Sequence, residues 1–162
     1  MYEKAIELNP AFASSFSNLA RLLLQQGKTT ESIANLRRAI ELDDRFADAY
    51  INLGMAMKSL GDDKAAFLLF QRSLQLDPRS SKGHYNLGTL FAKTNLEMAT
   101  KHLRTSIELD PDFSQSHNNL AVLIERQDPE TAMHHYHEAL RIDPANIQAK
   151  RNLETLLGDV PR

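Results

Sequence analysis

The 162-residue sequence contains no cysteine and no tryptophan. The lack of cysteine excludes disulfide bonds, thiolate metal sites and cysteine nucleophiles. Long hydrophobic runs are also missing: the longest apolar run covers only residues 65–70, whereas a membrane-spanning helix needs about 18 apolar residues or more. We therefore expect a soluble chain that does not insert into a membrane. These residues do not specify its compartment, and the cytoplasm is only a default assignment.

Neither sign of charge is in large excess, since the sequence has 19 basic and 21 acidic residues and a net charge of −2. Nucleic-acid-binding domains are typically strongly basic, so a nucleic acid is not an expected partner. The six glycines form no phosphate-binding loop, and no His-Glu-x-x-His motif or nucleophile elbow occurs. His134 and His137 stand at helical spacing but lack a fixed third ligand. We predict no catalytic residue, no metal site and no cofactor.

One residue pattern returns along almost the whole chain. A leucine recurs at spacings of 34, 34, 33 and 33 residues, as Leu19, Leu53, Leu87, Leu120 and Leu153. The same spacings separate Pro10, Asp44, Pro78, Pro111 and Pro144. A period of this size is typical of stacked helical repeats, in which no single unit buries its apolar face alone.

In its clearest form the pattern reads Tyr50, Leu53, Gly54, Met57, Gly61, Ala66, Phe70 and Pro78. This order resembles the signature of the tetratricopeptide repeat family. The resemblance covers about nine-tenths of the chain, although tryptophan is absent and Asn95 stands where other units have glycine. It implies an all-α fold, a right-handed superhelical solenoid of antiparallel helix pairs, here named helix A and helix B of each repeat.

The register of the pattern divides the chain into four full repeats with a partial unit at each end. Residues 1–12 are expected to be helix B of a truncated repeat, with an exposed apolar patch around Tyr2 and Ile6. Full repeats are predicted at residues 13–46, 47–80, 81–113 and 114–146. Residues 147–158 are predicted to form a capping helix, because Glu154 stands where a further helix would have to bury it. Residues 159–162 are assigned to a tail.

Turn residues are predicted to mark where helix A gives way to helix B. Gly27 and Gly61 suit the left-handed conformation that closes a helix, and Asp62, Asn95 and Asp128 suit the N-cap of the next one. Small residues stand where helix B must approach helix A closely, at Ala20, Gly54, Gly88 and Ala121.

One position of helix A is asparagine in every unit, although asparagine is a mediocre helix former. The five residues, which we name the asparagine ladder, are Asn18, Asn52, Asn86, Asn119 and Asn152. Stacked repeats would align these amides, and an amide offers both a donor and an acceptor to an extended peptide backbone. The repeat region of O-linked N-acetylglucosamine transferases has a comparable ladder, which this array resembles. A second interpretation is that duplicated repeats inherited a structural asparagine.

The helix face around the ladder is predicted to be basic. Its charged members are Arg21, Asp48, Lys58, Lys82, Lys93, Glu125, Arg126 and Arg151. Six are positive and two negative, which gives a local charge of +4 and leaves −6 elsewhere. We predict a concave groove that binds a protein or peptide, favouring acidic segments or a C-terminal carboxylate. The predicted binding residues are the asparagine ladder with Lys58, Lys82, Lys93 and Arg126. A merely solvated charged face is the competing interpretation.

Three further functions stay open from the sequence. Cochaperone members of the family hold chaperone C-termini with a five-residue carboxylate clamp. Lys82, Asn86 and Asn119 match its first three places, but Gln148 and Asn152 occupy the last two. The second open function is a substrate-recognition arm of a larger enzyme, such as a glycosyltransferase. The third is self-association through the truncated N-terminal end.

The histidines are predicted to serve packing rather than chemistry. His84 and His117 occupy the repeat position of Tyr50, so both are expected to pack between helices. Three others lie on helix B of the last repeat and are predicted to point largely outward: His134, His135 and His137.

Overall fold

The computed structural model describes Lys4, Asn9 and residues 11–159. Residues 11–159 form nine α-helices and no β-strand. The helices are α1 (Ala13–Gln25), α2 (Thr29–Leu42), α3 (Ala47–Ser59), α4 (Asp63–Leu76), α5 (Ser81–Phe91), α6 (Leu96–Leu109), α7 (Ser114–Ile124), α8 (Pro129–Ile142) and α9 (Ile147–Asp159). The apolar patch expected around Tyr2 and Ile6, and residues 160–162 of the tail, lie outside the described residues.

The turn between helix A and helix B is set by a few residues, as predicted. Gly27 and Gly61 have positive φ angles of 76° and 81°, a conformation that glycine adopts without steric cost. Asp62, Asn95 and Asp128 each accept a hydrogen bond from the backbone N–H three residues later, at 3.0–3.1 Å. Each cap satisfies a backbone donor that the first turn of helix B would otherwise leave unpaired.

The turn from helix B to the next helix A is closed by an Asp or Asn side chain. Its Oδ1 accepts a hydrogen bond from the backbone N–H two residues later, at 3.0–3.2 Å. The five residues are Asn9, Asp43, Asp77, Asp110 and Asp143. The backbone N–H three residues later also donates to the carbonyl of the same Asp or Asn, at 3.0–3.2 Å. Because neither bond involves the proline ring, Asp44 is tolerated where the other repeats have proline.

The chain divides into two compact units, with the boundary between Asn86 and Leu87 in α5. In the first unit, each of the helices α1 to α4 packs against its neighbour in sequence, and α1 also contacts α3. Small and large apolar side chains meet there in a core built on Ala20, Leu36, Leu53 and Ala56. Each helix thus buries the apolar stripe that the sequence pattern predicted.

The second unit has its own core. Helix α7 packs against α8, α6 packs against α7, and α9 contacts both α8 and α7. Its largest fully buried side chains are Leu103, Leu120 and Tyr136. Along α9, Ala149 and Leu153 are buried while Lys150 and Glu154 are exposed. Helix α9 continues through Gly158 to Asp159, one residue past its predicted end.

Glycine permits the close approach of helix A and helix B in two repeats. A Cβ atom added to Gly54 would lie 2.5 Å from Cε1 of Phe70, and one added to Gly88 would lie 2.7 Å from Cγ of Leu103. Both distances are far below a normal van der Waals contact. The small residues predicted at these positions are therefore required by the packing of Phe70 and Leu103.

Candidate functional site

The asparagine ladder lies on the five A helices, α1, α3, α5, α7 and α9. Asn18, Asn52 and Asn86 belong to the first unit, and Asn119 and Asn152 to the second. Within the first unit α1 contacts α3, and within the second α7 contacts α9. Asn18 and Asn52 therefore lie on contacting helices, and so do Asn119 and Asn152.

In the first unit the three ladder amides have different environments. Asn18 is half-buried and makes no hydrogen bond to a described residue. Asn52 donates from Nδ2 to Oγ of Ser17 on α1, one repeat back in the array, at 3.0 Å. Asn86 is only 7% exposed and donates to the backbone oxygen of Lys82 at 2.8 Å. Asn18 and Asn52 are thus the more accessible ladder residues of this unit.

In the second unit the ladder is part of a chain of amides. Asn152 donates from Nδ2 to Oδ1 of Asn118 at 3.1 Å, and Asn118 donates to Oδ1 of Asn119 at 3.0 Å. Asn118 is buried, whereas Asn119 and Asn152 are half-buried. The bond between Asn152 and Asn118 ties α9 to α7, and the bond between Asn118 and Asn119 lies within α7.

The ladder therefore has a structural role, which the sequence indicates only as a second interpretation. Asn52 and Asn152 each bind the residue that precedes the ladder position in the previous repeat, Ser17 and Asn118 respectively. Neither Ser17 nor Asn118 was among the predicted site residues. The sequence did contain an indication of this role. Ser17 and Asn118 are polar at the position before the ladder asparagine, where repeat 2 has the apolar Ile51.

The predicted cations differ in how firmly they are held. Lys82, Lys93 and Arg126 are exposed, and none forms an ion pair with a described residue. Lys58 is half-buried. The charges of Lys82, Lys93 and Arg126 are therefore available to a partner, and an ion pair at such an exposed site contributes only about 0–1 kcal/mol.

Glu125, one of the two anions on the predicted basic face, has a specific internal partner. The phenol of Tyr136 donates to Oε2 of Glu125 at 2.6 Å, and Tyr136 itself is 0% exposed. Burial, together with the bond to this carboxylate, raises the pKa of the Tyr136 phenol well above its ordinary value of 10.0. Glu125 lies in the turn that follows α7, and this hydrogen bond links the turn to helix B.

A ring side chain on helix A makes the same contact in three successive repeats. Tyr50 donates from its hydroxyl to the backbone oxygen of Asp44 at 3.1 Å. Nε2 of His84 lies 3.3 Å from the backbone oxygen of Pro78, and Nε2 of His117 lies 3.0 Å from that of Pro111. In each case the carbonyl lies six residues before the ring. The two histidines therefore pack in place of an aromatic residue, as predicted.

His135 corrects the prediction that the helix B histidines point outward. His134 and His137 are exposed, but His135 is half-buried, with its Nδ1 3.0 Å from Nδ1 of His117. The reason is that its repeat position belongs to the inward side, since the equivalent Leu69 packs against the core of the first unit. Desolvation lowers the pKa of His117, and it lowers the pKa of His135 to about 4.

Metal-binding clusters and membrane-spanning helices are both absent along the part of the chain that the structure describes. No group of three or more His, Cys, Asp or Glu side chains there is arranged to hold a metal ion. Among the same residues, no helix combines the length and apolar character needed to cross a lipid bilayer.

The described helices define an all-α helical repeat protein, and sequence comparison identifies the repeat. Family profiles described as "TPR repeat" and "Tetratricopeptide repeat" match residues 20–61, 1–34 and 47–80. No curated protein sequence gives a significant match. Residues 1–80 therefore carry tetratricopeptide repeats, as the sequence pattern predicted.

Solved structures share the fold at low sequence identity. A chain of the APC/C hetero-tetramer Cut9–Hcn1 superposes with a TM-score of 0.83 at 22% identity, over 96% of this chain and 32% of that chain. YrrB, described as a TPR protein with an unusual peptide-binding site, gives 0.57 at 22% identity, over 94% and 97%. A mutant O-GlcNAc transferase of Thermobaculum terrenum gives 0.73 at 24% identity, over 82% and 26%.

These similarities confirm the predicted class of fold, an all-α helical repeat solenoid. The chain spans only 32% of the Cut9–Hcn1 chain that it matches. Functional statements about those proteins apply to them and not to this chain.

Proposed function

We propose that the chain is a non-catalytic interaction module that binds an extended segment of a partner protein on the face bearing the asparagine ladder. The observation that carries this proposal is Asn18, a half-buried amide with no hydrogen bond to a described residue. Polar groups in such places are normally paired with protein or water. A peptide backbone offers the alternating donors and acceptors that pair best with an amide.

Cations of the A helices and of the turns that follow them support an acidic ligand: Lys82 lies on α5, whereas Lys93 and Arg126, predicted on the helix face, lie in the turns after α5 and α7. In the first unit Lys82 is exposed and without an ion pair to any described residue, and in the second unit the same holds for Lys93 and Arg126. Such cations steer anionic partners toward a surface and raise the association rate. We therefore infer that the bound segment carries Asp, Glu or a free carboxylate.

The proposal is tested with peptides selected from a random library on the immobilised chain, followed by fluorescence anisotropy. Asn18→Ala is expected to weaken binding roughly tenfold or more, about 1.4 kcal/mol, without lowering the midpoint of thermal unfolding. Selected peptides should be acidic, and their affinity should fall as salt is added. Wild-type affinity in Asn18→Ala would contradict the assignment of the ladder to ligand binding.

Ser17→Ala separates ligand binding from the structural role of the ladder. It removes the internal partner of Asn52 but leaves the Asn52 amide in place. We expect Asn52→Ala to weaken peptide binding much more than Ser17→Ala does, although both lose the same internal hydrogen bond. Equal losses of affinity in the two variants would show that Asn52 acts only through that bond.

A second candidate function is substrate recognition for a larger enzyme. It is favoured by the asparagine present in every A helix and by the structural similarity to a mutant O-GlcNAc transferase. The peptide experiment applies equally to this candidate, because the recognised segment would then belong to the substrate. Sequencing the gene that encodes this chain distinguishes the two candidates, because only the second one requires a transferase domain in the same protein.

A further inference from the structure

The two helices of repeat 4 are joined by an imidazole pair. His117 on α7 is 6% exposed, and His135 on α8 is half-buried. Their Nδ1 atoms are 3.0 Å apart and their ring centroids 5.2 Å apart. His102 stands at the repeat position of His135 on α6, but it stacks on the ring of Phe91.

The contact of His117 with the Pro111 carbonyl indicates which ring nitrogens of the pair carry hydrogen. Nε2 of His117 lies 3.0 Å from the backbone oxygen of Pro111, and a carbonyl can only accept, so Nε2 carries a hydrogen. Neutral His117 then has a bare Nδ1, which accepts the N–H of His135. One added proton can be placed on Nε2 of His135 without breaking this bond. A second added proton puts N–H groups on both facing Nδ1 atoms, and the bond is lost.

The charged groups around the pair do not prevent the loss of this bond on double protonation. Glu138 favours the protonated forms, whereas His134, Arg104 and Arg141 oppose them. Glu138 is itself held by Arg141 at 2.9 Å, and Arg141 also reaches Asp112 at 3.4 Å. The carboxylates nearest the pair are thus paired with a cation, so they do not neutralise a doubly protonated pair.

We propose that the contact between His117 and His135 is an acid-sensitive latch, which holds α7 against α8 near neutral pH and releases it when both imidazoles are protonated. The released helix α7 carries Asn118 and Asn119, so opening would also disturb the amide chain to Asn152. This inference concerns the conformation of the second unit and does not rest on peptide binding.

The direction of the pH effect follows from the histidine pKa values. Both lie below the ordinary 6.5 in the folded chain, that of His135 at about 4. On acidification the unfolded or opened state therefore takes up protons first. Stability of the latch is complete well above pH 6.5 and decreases as the pH falls from 6.5 toward the folded pKa values.

Repeat 2 supplies a matched substitute for the pair. The residues equivalent to His117 and His135 are Tyr50 and Leu69, and Tyr50 keeps the contact to the carbonyl six residues earlier. The double variant His117→Tyr, His135→Leu should therefore fold while lacking both titrating groups. His137→Gln is the control for loss of a histidine, because His137 is exposed on the same helix.

The test is amide hydrogen exchange of the whole chain between about pH 7.5 and about pH 4.5, corrected for the intrinsic pH dependence of exchange. In the wild type and in His137→Gln, protection in α7 and α8 is expected to fall roughly tenfold or more, while α1 and α2 change little. The double variant is expected to keep its protection. If acidification lowers the protection of α7 and α8 equally in the double variant and in the wild type, the proposal is overturned.

A measurement on the wild type alone keeps the proposal testable whatever the variants do. Nitrogen chemical shifts of the histidine side chains report which ring atom carries the hydrogen. At about pH 7.5 His117 is expected as the Nε2–H tautomer and His135 as the Nδ1–H tautomer. The opposite tautomer at His117, or two histidines titrating independently near the ordinary pKa, would refute the latch.

Discussion

Gly54→Ala is expected to destabilise the first unit by about 1–3 kcal/mol, measured by chemical denaturation. The added Cβ would lie 2.5 Å from Cε1 and 2.7 Å from Cδ1 of Phe70. Phe70 is fully buried, so its ring cannot move aside without displacing other core side chains. Alanine is the better helix former by about 1 kcal/mol. The expected loss of stability is therefore the steric cost of the new contact minus this gain.

Two variants test whether the contact with Phe70 is the cause. Gly158→Ala adds the same methyl group to a helical glycine where, apart from its own helix backbone and chain neighbours, no atom lies within 4 Å of the new Cβ, and it should be neutral or slightly stabilising. Gly54→Ala combined with Phe70→Leu recreates the pairing of Ala20 and Leu36 in repeat 1. This double variant should be more stable than Gly54→Ala alone. If it is not, the steric explanation is wrong.

Glu125→Ala is expected to destabilise the second unit by about 1–3 kcal/mol, because it leaves the buried phenol of Tyr136 without its acceptor. Tyr136→Phe removes the same hydrogen bond but should cost less. In that variant the group left behind is Glu125, whose half-buried carboxylate can be hydrated. The order of the two losses, measured by urea denaturation, therefore reports which partner is buried.

Repeat 2 again supplies the control, since Lys58 and Phe70 occupy the positions of Glu125 and Tyr136. Glu125→Lys combined with Tyr136→Phe should recover most of the stability lost in Glu125→Ala. The raised pKa of Tyr136 adds a second signature: below pH 10 the phenol is neutral in both states, and above it the unfolded state ionises first. Stability should fall as pH rises above 10, and Tyr136→Phe should lessen this fall. A larger loss in Tyr136→Phe than in Glu125→Ala would contradict the assignment.

The fold was predictable because its determinants are local and repeated. A leucine every 33 or 34 residues, two turn glycines and three capping residues specify where helices begin and end. The glycines and the capping residues act on the backbone within a few residues of themselves, and the leucines mark the apolar stripe of helix A. Once the repeat pattern is recognised, amino-acid composition adds little to the prediction of the fold.

The side-chain partners were less predictable, because they depend on how one helix is rotated against another. The contacts of Asn52 with Ser17 and of His135 with His117 join residues 35 and 18 positions apart. Nothing near either residue in the sequence indicates its partner. Comparison between repeats gives the best guide, since Leu69 shows that the position of His135 faces inward.

The ring contacts of Tyr50, His84 and His117 bear on how such an array diversifies after duplication. Each of these repeats presents a backbone carbonyl that accepts a hydrogen bond from whichever ring N–H or O–H stands six residues later. A tyrosine and a histidine both reach this acceptor, at 3.0–3.3 Å, but only the imidazole can gain a charge by taking up a proton. A repeat can therefore carry either residue at this position without losing the contact. In repeat 4 a second histidine, His135, contacts the first, so the acid response that we propose belongs to that repeat.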